Sequence, residues 1–105
     1  MSYEEIKQLA ERDRIAFKKH AVLRMHQRKN LADEVKYALI NGETIEKYPK
    51  DRPLPSQLVL GYTQKQRPIH AVIAIDTEEL MLWIITVYQP ELDDWEAGFK
   101  KRKIK

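Results

Sequence analysis

The feature that most constrains this chain is a change in apolar spacing at Gly42. Before it, apolar residues recur every three to four positions: Ile6, Leu9 and Ala10, then Phe17, Ala21 and Met25, then Leu31, Val35, Ala38 and Leu39. That is the spacing of helices with one buried face. After Gly42 the period falls to two, as where Leu58, Leu60 and Tyr62 alternate with Val59 and Gly61. That is the spacing of strands. Helices first and strands afterwards predict an α+β fold, with N-terminal helices packed on one face of a four-stranded antiparallel sheet.

Cap and turn residues punctuate this plan. Ser2 with Glu5 forms a capping box for a first helix running to about Asp13, and Ile15 and Phe17 bridge to a second helix ending near Arg28 or Lys29. Asn30 is the expected cap of the third helix, which Asn41-Gly42 closes. Strands are expected over 44–48, 57–63, 69–75 and 80–88. Pro49, Asp51, Pro53 and Pro55 separate the first of these from the rest, and the short polar turns at 64–66 and 77–79 make the last three a meander. The unbroken run Trp83-Ile84-Ile85 points to a last strand that is central and covered on both faces. Pro90 ends it, and Asp93 or Asp94 caps a last turn that folds Trp95 and Phe99 back on the sheet.

With 105 residues and 43% apolar content the expectation is one domain, 1–105, with a basic tail at 100–105. The absence of cysteine excludes disulfides, thiolate metal sites and a cysteine nucleophile, and suits a cytoplasmic location. Residues 1–15 are charged throughout and the apolar run at 80–85 is far too short to span a bilayer, so neither a signal peptide nor a membrane role is expected. The net charge of +3 hides a division: residues 12–29 hold seven bases and one acid, and the last six residues hold five bases and no acid. Two basic patches suit an acidic partner such as RNA, with Lys100, Lys101 and Arg102 able to follow a phosphate backbone. The same tail also reads as a frayed, solubilising terminus.

The candidate chemistry starts on the second helix. His20, Arg24 and Arg28 stand four apart and form a polar stripe beside the apolar stripe of Phe17, Ala21 and Met25. A phosphate would give both arginines a partner, although rows of charge beside a core face are commonly solvated. His26 points away from this stripe and reads as a surface residue. His70 lies in a strand among Val72 and Ala74, so it sits at the rim or has a specific hydrogen-bond partner, with Thr86 and Tyr88 the natural choices. A three-residue turn after Asp76 places His70 opposite Thr86 with Tyr88 close by, and a four-residue turn shifts the register so that His70 faces Ile85 instead.

Other chemistries find little support. No carboxylate stands at helical spacing from His20 and no His-Glu-x-x-His motif occurs, so neither a metal nor a cofactor is expected. Ser2 and Ser56 are the only serines and neither sits on a nucleophile elbow. The three glycines are isolated, which removes a phosphate-cradling loop. What survives is His20, Arg24, Arg28, Arg67, His70, Thr86 and Tyr88. Such a set can move protons and hold phosphoryl charge, as metal-independent cleavage of RNA by its own 2'-hydroxyl requires. DNA lacks that hydroxyl.

Five ordered motifs carry a resemblance: His20-x-x-x-Arg24-Met25-x-x-Arg28, Gly42-Glu43-x-Ile45-Glu46-x-Tyr48-Pro49, Pro55-Ser56-x-Leu58-Val59-Leu60-Gly61, Arg67-Pro68-x-His70 and Thr86-Val87-Tyr88-x-Pro90. Together they resemble a small prokaryotic family of unknown function whose members look similar to RelE-like toxins of toxin-antitoxin modules. The resemblance implies a RelE-like ribonuclease fold, cleavage of mRNA that is possible on the ribosome, and restraint by an antitoxin-type partner. On it His70 and His20 become the proton-transfer candidates, Tyr88 and Thr86 their helpers, and Arg24, Arg28 and Arg67 the phosphate contacts. A non-catalytic module that binds RNA or protein through the same cleft is the other reading.

Overall fold

The apolar stripes form three helices, α1 (Tyr3–Glu11), α2 (Lys19–Arg28) and α3 (Ala32–Ile40). The computed structural model describes residues 3–28 and 32–104, Arg28 by its backbone alone. The caps expected at Ser2 and Asn30 lie outside the described residues. At its other end α1 closes as the sequence led one to expect: Asp13 takes a left-handed conformation (φ 57°). The Arg14 amide then reaches the Leu9 carbonyl at 2.9 Å and the Asp13 amide the Ala10 carbonyl at 3.1 Å, which satisfies two orphan acceptors.

The sheet departs from the expected count. Its strands are β1 (Ile15–Phe17), β2 (Glu43–Tyr48), β3 (Ser56–Tyr62), β4 (Pro68–Asp76) and β5 (Met81–Tyr88), in the order β1-β5-β4-β3-β2. The four-stranded antiparallel sheet is therefore corrected to a five-stranded mixed one, because the bridging segment Ile15–Phe17 pairs in parallel with Leu82–Ile84. Three residues are too short to display a period of two, and their partner lies far along the chain. Arg14 secures the join by donating to the Glu79 and Leu80 carbonyls at 2.7 and 3.1 Å. With β1 on one side and β4 on the other, β5 is an interior strand, though β4 is the central one.

Two bulges decide which side chains share a face. On β5 the register slips between Val72 and Ile73, leaving Ile85 as the extra residue. Ile84 and Val87, three apart, therefore both enter the core, and Trp83, Thr86 and Tyr88 stand opposite Ala74, Val72 and His70 on the other face. On β2 the slip at Ile45 does the same for Glu43 and Glu46, which pair with Leu60 and Leu58. One sheet face is covered by the helices: Ile6, Ala21, Met25, Val35, Ala38 and Leu39 pack against Val59, Ala71, Ile73, Leu82, Ile84 and Val87.

Close approach explains both Gly42 and Gly61. A β-carbon at Gly42 would lie within 2.8 Å of the Tyr3 hydroxyl and of the Ala38 and Leu60 carbonyls, whereas its φ is not in the left-handed range. So α3 does close at Asn41-Gly42 as expected, but what demands glycine there is crowding where α1, α3 and β3 converge rather than a left-handed backbone. Among the described residues no helix is long and apolar enough to cross a membrane.

Candidate functional site

Part of the sheet face that the helices leave bare, around His70, is covered by the chain beyond Pro90. Residues 94–103 fold into a short hairpin: the Lys103 amide donates to the Asp94 carbonyl at 2.9 Å and the Glu96 amide to Lys101 at 2.8 Å. Gly98 (φ 91°) makes the turn, a conformation that favours glycine. Trp95 is driven into the face and is 3% exposed. The β2 bulge then acquires a purpose, because Glu43 meets Lys100 at 2.9 Å and Glu46 takes a forked pair of bonds from Arg102 at 2.9 and 3.0 Å. Arg102 holds the Glu46 carboxyl below its usual range, chiefly through these bonds, while its own guanidinium lies 4.7 Å over the Trp95 ring.

His70 is sealed beneath this hairpin at 0% exposure. Its Nε2 lies 2.8 Å from the Phe99 carbonyl and its Nδ1 3.1 Å from the Tyr88 hydroxyl, and Trp95 meets the ring edge-on at 4.3 Å. A carbonyl only accepts, so Nε2 carries the proton and the lone pair on Nδ1 accepts from Tyr88. Burial pushes the imidazole below its ordinary value of 6.5; the Arg102 charge adds to this, against the Phe99 carbonyl and Glu46. Burial likewise raises Tyr88.

The shift carries a sign for stability. An unfolded His70 binds a proton at 6.5 while the folded one resists it, so the folded state should keep its full stability above that pH and lose it as pH falls below, until the folded group also protonates. Urea unfolding measured stepwise from pH 8 to 5 should show this loss, and His70→Gln should flatten it. An equal slope in both proteins would contradict the assignment.

Where the hairpin meets α2 there is a cleft of about 440 Å³ lined by Arg24, Tyr88, Asp94, Trp95, Arg102 and Lys103. A smaller hollow of about 190 Å³, sharing Arg24, Tyr88, Asp94 and Trp95, extends it past Pro90. The Nε of Arg24 is buried without a hydrogen-bond partner among the described residues. A buried donor left in this state costs about 1–3 kcal/mol, which an anionic ligand would offset.

The residues singled out in the sequence are divided by this geometry. Arg24, Tyr88 and Arg102 come together at the cleft, and His70 stands directly behind Tyr88. His20 does not join them: α2 turns Ala21 and Met25 into the helix-side core and leaves His20 exposed, while His70 faces the opposite layer. Of the two registers the sequence left open, neither partner faces His70: it pairs with Tyr88, and Thr86 pairs with Val72. The turn does contain four residues, and the bulge then adds its own shift. Arg67, just before β4, does not itself line the cleft; it bonds at 3.3 Å to Gln89, which borders the smaller hollow, and lies 3.9 Å from Glu34. Lys100 serves Glu43, Lys101 is exposed, and the Arg28 side chain lies outside the described residues.

Sequence reasoning placed Trp95 on the sheet but missed Glu43, Glu46, Asp94 and Lys103 as parts of this site. For Glu43 and Glu46 the signal was two glutamates three apart in a strand, which share a face only across a bulge. Among the described residues no group of three or more His, Cys, Asp or Glu is placed to hold a metal ion.

Fold and site together define an α+β protein with helices on one face of a mixed five-stranded sheet and a basic, aromatic-lined cleft at the border of the other. The chain belongs to the family of the domain of unknown function DUF4258, whose model matches residues 17–89, from the end of β1 to just past β5. No curated protein and no solved structure matches it significantly.

Proposed function

We propose that the cleft binds the phosphodiester backbone of RNA and that the protein is a toxin-type endoribonuclease acting by metal-independent attack of the ribose 2'-hydroxyl. The observation that carries this reading is the set of cations at one concavity: Arg24 with its unsatisfied Nε, Lys103, and Arg102 braced by Glu46. Arginine forks suit phosphate oxygens, and the half-buried Tyr88 adds aromatic surface beside them. The toxin type, a RelE-like fold and an antitoxin-type partner are supported by the sequence resemblance alone. The ribosome-bound mRNA substrate has the same basis.

A second reading, an RNA-binding module without catalysis, is favoured by one specific observation: both ring nitrogens of His70 are already engaged beneath the hairpin. Induced expression separates the two. Growth should stop with wild type and continue with a folded Arg24→Ala, whose affinity for single-stranded RNA should fall on the order of tenfold with a shallower salt dependence. Wild type that neither slows growth nor binds RNA would end both readings; binding without growth arrest or cleavage would leave the second.

A further inference from the structure

We propose that the outer stripe of α1 and the turn between β4 and β5 form a self-complementary surface, on which a second copy of this chain docks about a twofold axis. The surface is a groove of about 380 Å³ between α1, which supplies Glu5, Gln8, Leu9 and Arg12, and the end of the sheet, which supplies Ile75 and Leu80. The Arg12 amide still bonds to the Gln8 carbonyl at 3.0 Å, so helical geometry carries the stripe through all four α1 positions. None of these residues lines the cleft beside Arg24, and the inference stands apart from the RNA reading.

The stripe matches itself when reversed. Laid antiparallel, Glu5 meets Arg12 of the second copy and Arg12 meets its Glu5, while Gln8 and Leu9 exchange places at the axis, as an isologous contact requires. Both charged side chains are exposed, and among the described residues neither has a partner within the chain. Leu80 supplies the apolar anchor. It is 60% exposed and holds φ 53°, a left-handed conformation that leucine rarely adopts. The turn imposes it: Asp76 accepts the Glu78 and Glu79 amides at 3.0 Å each, and Arg14 donates to the Glu79 and Leu80 carbonyls at 2.7 and 3.1 Å. Backbone strain persists where the surroundings over-determine it, and it collects where a ligand or partner is met. A leucine held rigidly beside the half-buried Leu9 is ordered before docking, so little freedom is lost when the second copy covers it. With the axis through the groove, each Leu80 rests against Leu9 of the other copy, and the Glu5 to Arg12 pairs close both ends of the seam. A small apolar ligand would fill the groove and leave an acid and a base unmatched; a reversed copy of the stripe matches both.

The test is analytical ultracentrifugation of the full chain from about 1 to 300 µM, the range in which small interfaces associate. Wild type should dimerise within it. Glu5→Arg and Arg12→Glu should each weaken the dimer by about tenfold, because each sets like charges against one another at both ends of the seam. The variant carrying both changes should return to within about threefold of wild type, since the pairs re-form with their signs exchanged. That rescue cannot arise inside one chain, where the two residues lie about two helical turns apart. Leu80→Gly should weaken the dimer by about tenfold or more, while its monomer unfolds in urea no earlier than wild type, because glycine accepts the left-handed turn. Wild type that stays monomeric throughout overturns the proposal; a monomer whose Leu9 and Leu80 methyl NMR signals move on adding a medium-chain fatty acid gives the groove to a small ligand instead. A dimer that resists Leu80→Gly and both single charge reversals also overturns it, because its interface lies elsewhere. Weakening by the single reversals without rescue in the double variant overturns the antiparallel seam.

Discussion

Replacing Gly61 by alanine is expected to destabilise the fold by about 3 kcal/mol or more. The new β-carbon would fall 2.1 Å from the Ala38 carbonyl oxygen and 2.6 Å from its carbon, both backbone atoms of α3. Neither can swing aside. The helix itself would have to lift from β3, and Val35, Ala38 and Leu39, all buried against the sheet, would lose contact with it. A companion Ala38→Gly change should not restore stability, because it removes the side chain and leaves the obstructing carbonyl. Chemical denaturation followed by circular dichroism measures the difference; an unchanged midpoint would show that α3 does not ride on β3 as described.

Truncating Trp95 to alanine should be comparably damaging, about 3–5 kcal/mol. It empties the space between the hairpin and the sheet, and it deprives Arg102 of its aromatic face and His70 of its edge-on neighbour. Its effect should also be local in a readable way. Amide exchange at Glu96 and Lys103, which bond across the hairpin to Lys101 and Asp94, should accelerate well beyond that of β4. Leu92→Ala is the control, since Leu92 is 55% exposed and should change stability little. A hairpin whose amides stay protected in Trp95→Ala would mean that the ion pairs to Glu43 and Glu46 hold it alone, which their exposure argues against.

Much of this architecture was legible because its causes are local. The apolar stripes of α1, α2 and α3 follow from helical spacing, and four of the five strands follow from alternation bounded by turn residues. Trp95 was placed on the sheet correctly because a large apolar residue after a strand-ending proline has little else to cover. Phe99 contributes its carbonyl to His70. β1 escaped because a parallel strand of three residues has no pattern of its own and is defined only by its distant partner. Gly61 read as an ordinary alternating position because the contact that demands it belongs to another element.

The candidate site was half legible. Arg24, His70 and Tyr88 announced themselves by type, since a base in an apolar strand and an arginine at a core border each require a partner. Their grouping did not follow from type. One inserted residue, Ile85, turns Tyr88 rather than Thr86 toward His70, and another at Ile45 brings Glu43 and Glu46 to one face to receive Lys100 and Arg102. The sequence by itself determined the three helices, four of the five strands and which side chains carry charge or basicity, because period and residue chemistry act over a few neighbours. Only the tertiary structure decided that His20 and His70 lie in different layers, and that the basic tail is tied over the histidine. Sheet order, bulges and ion pairs between distant segments are settled by the packing of the whole chain.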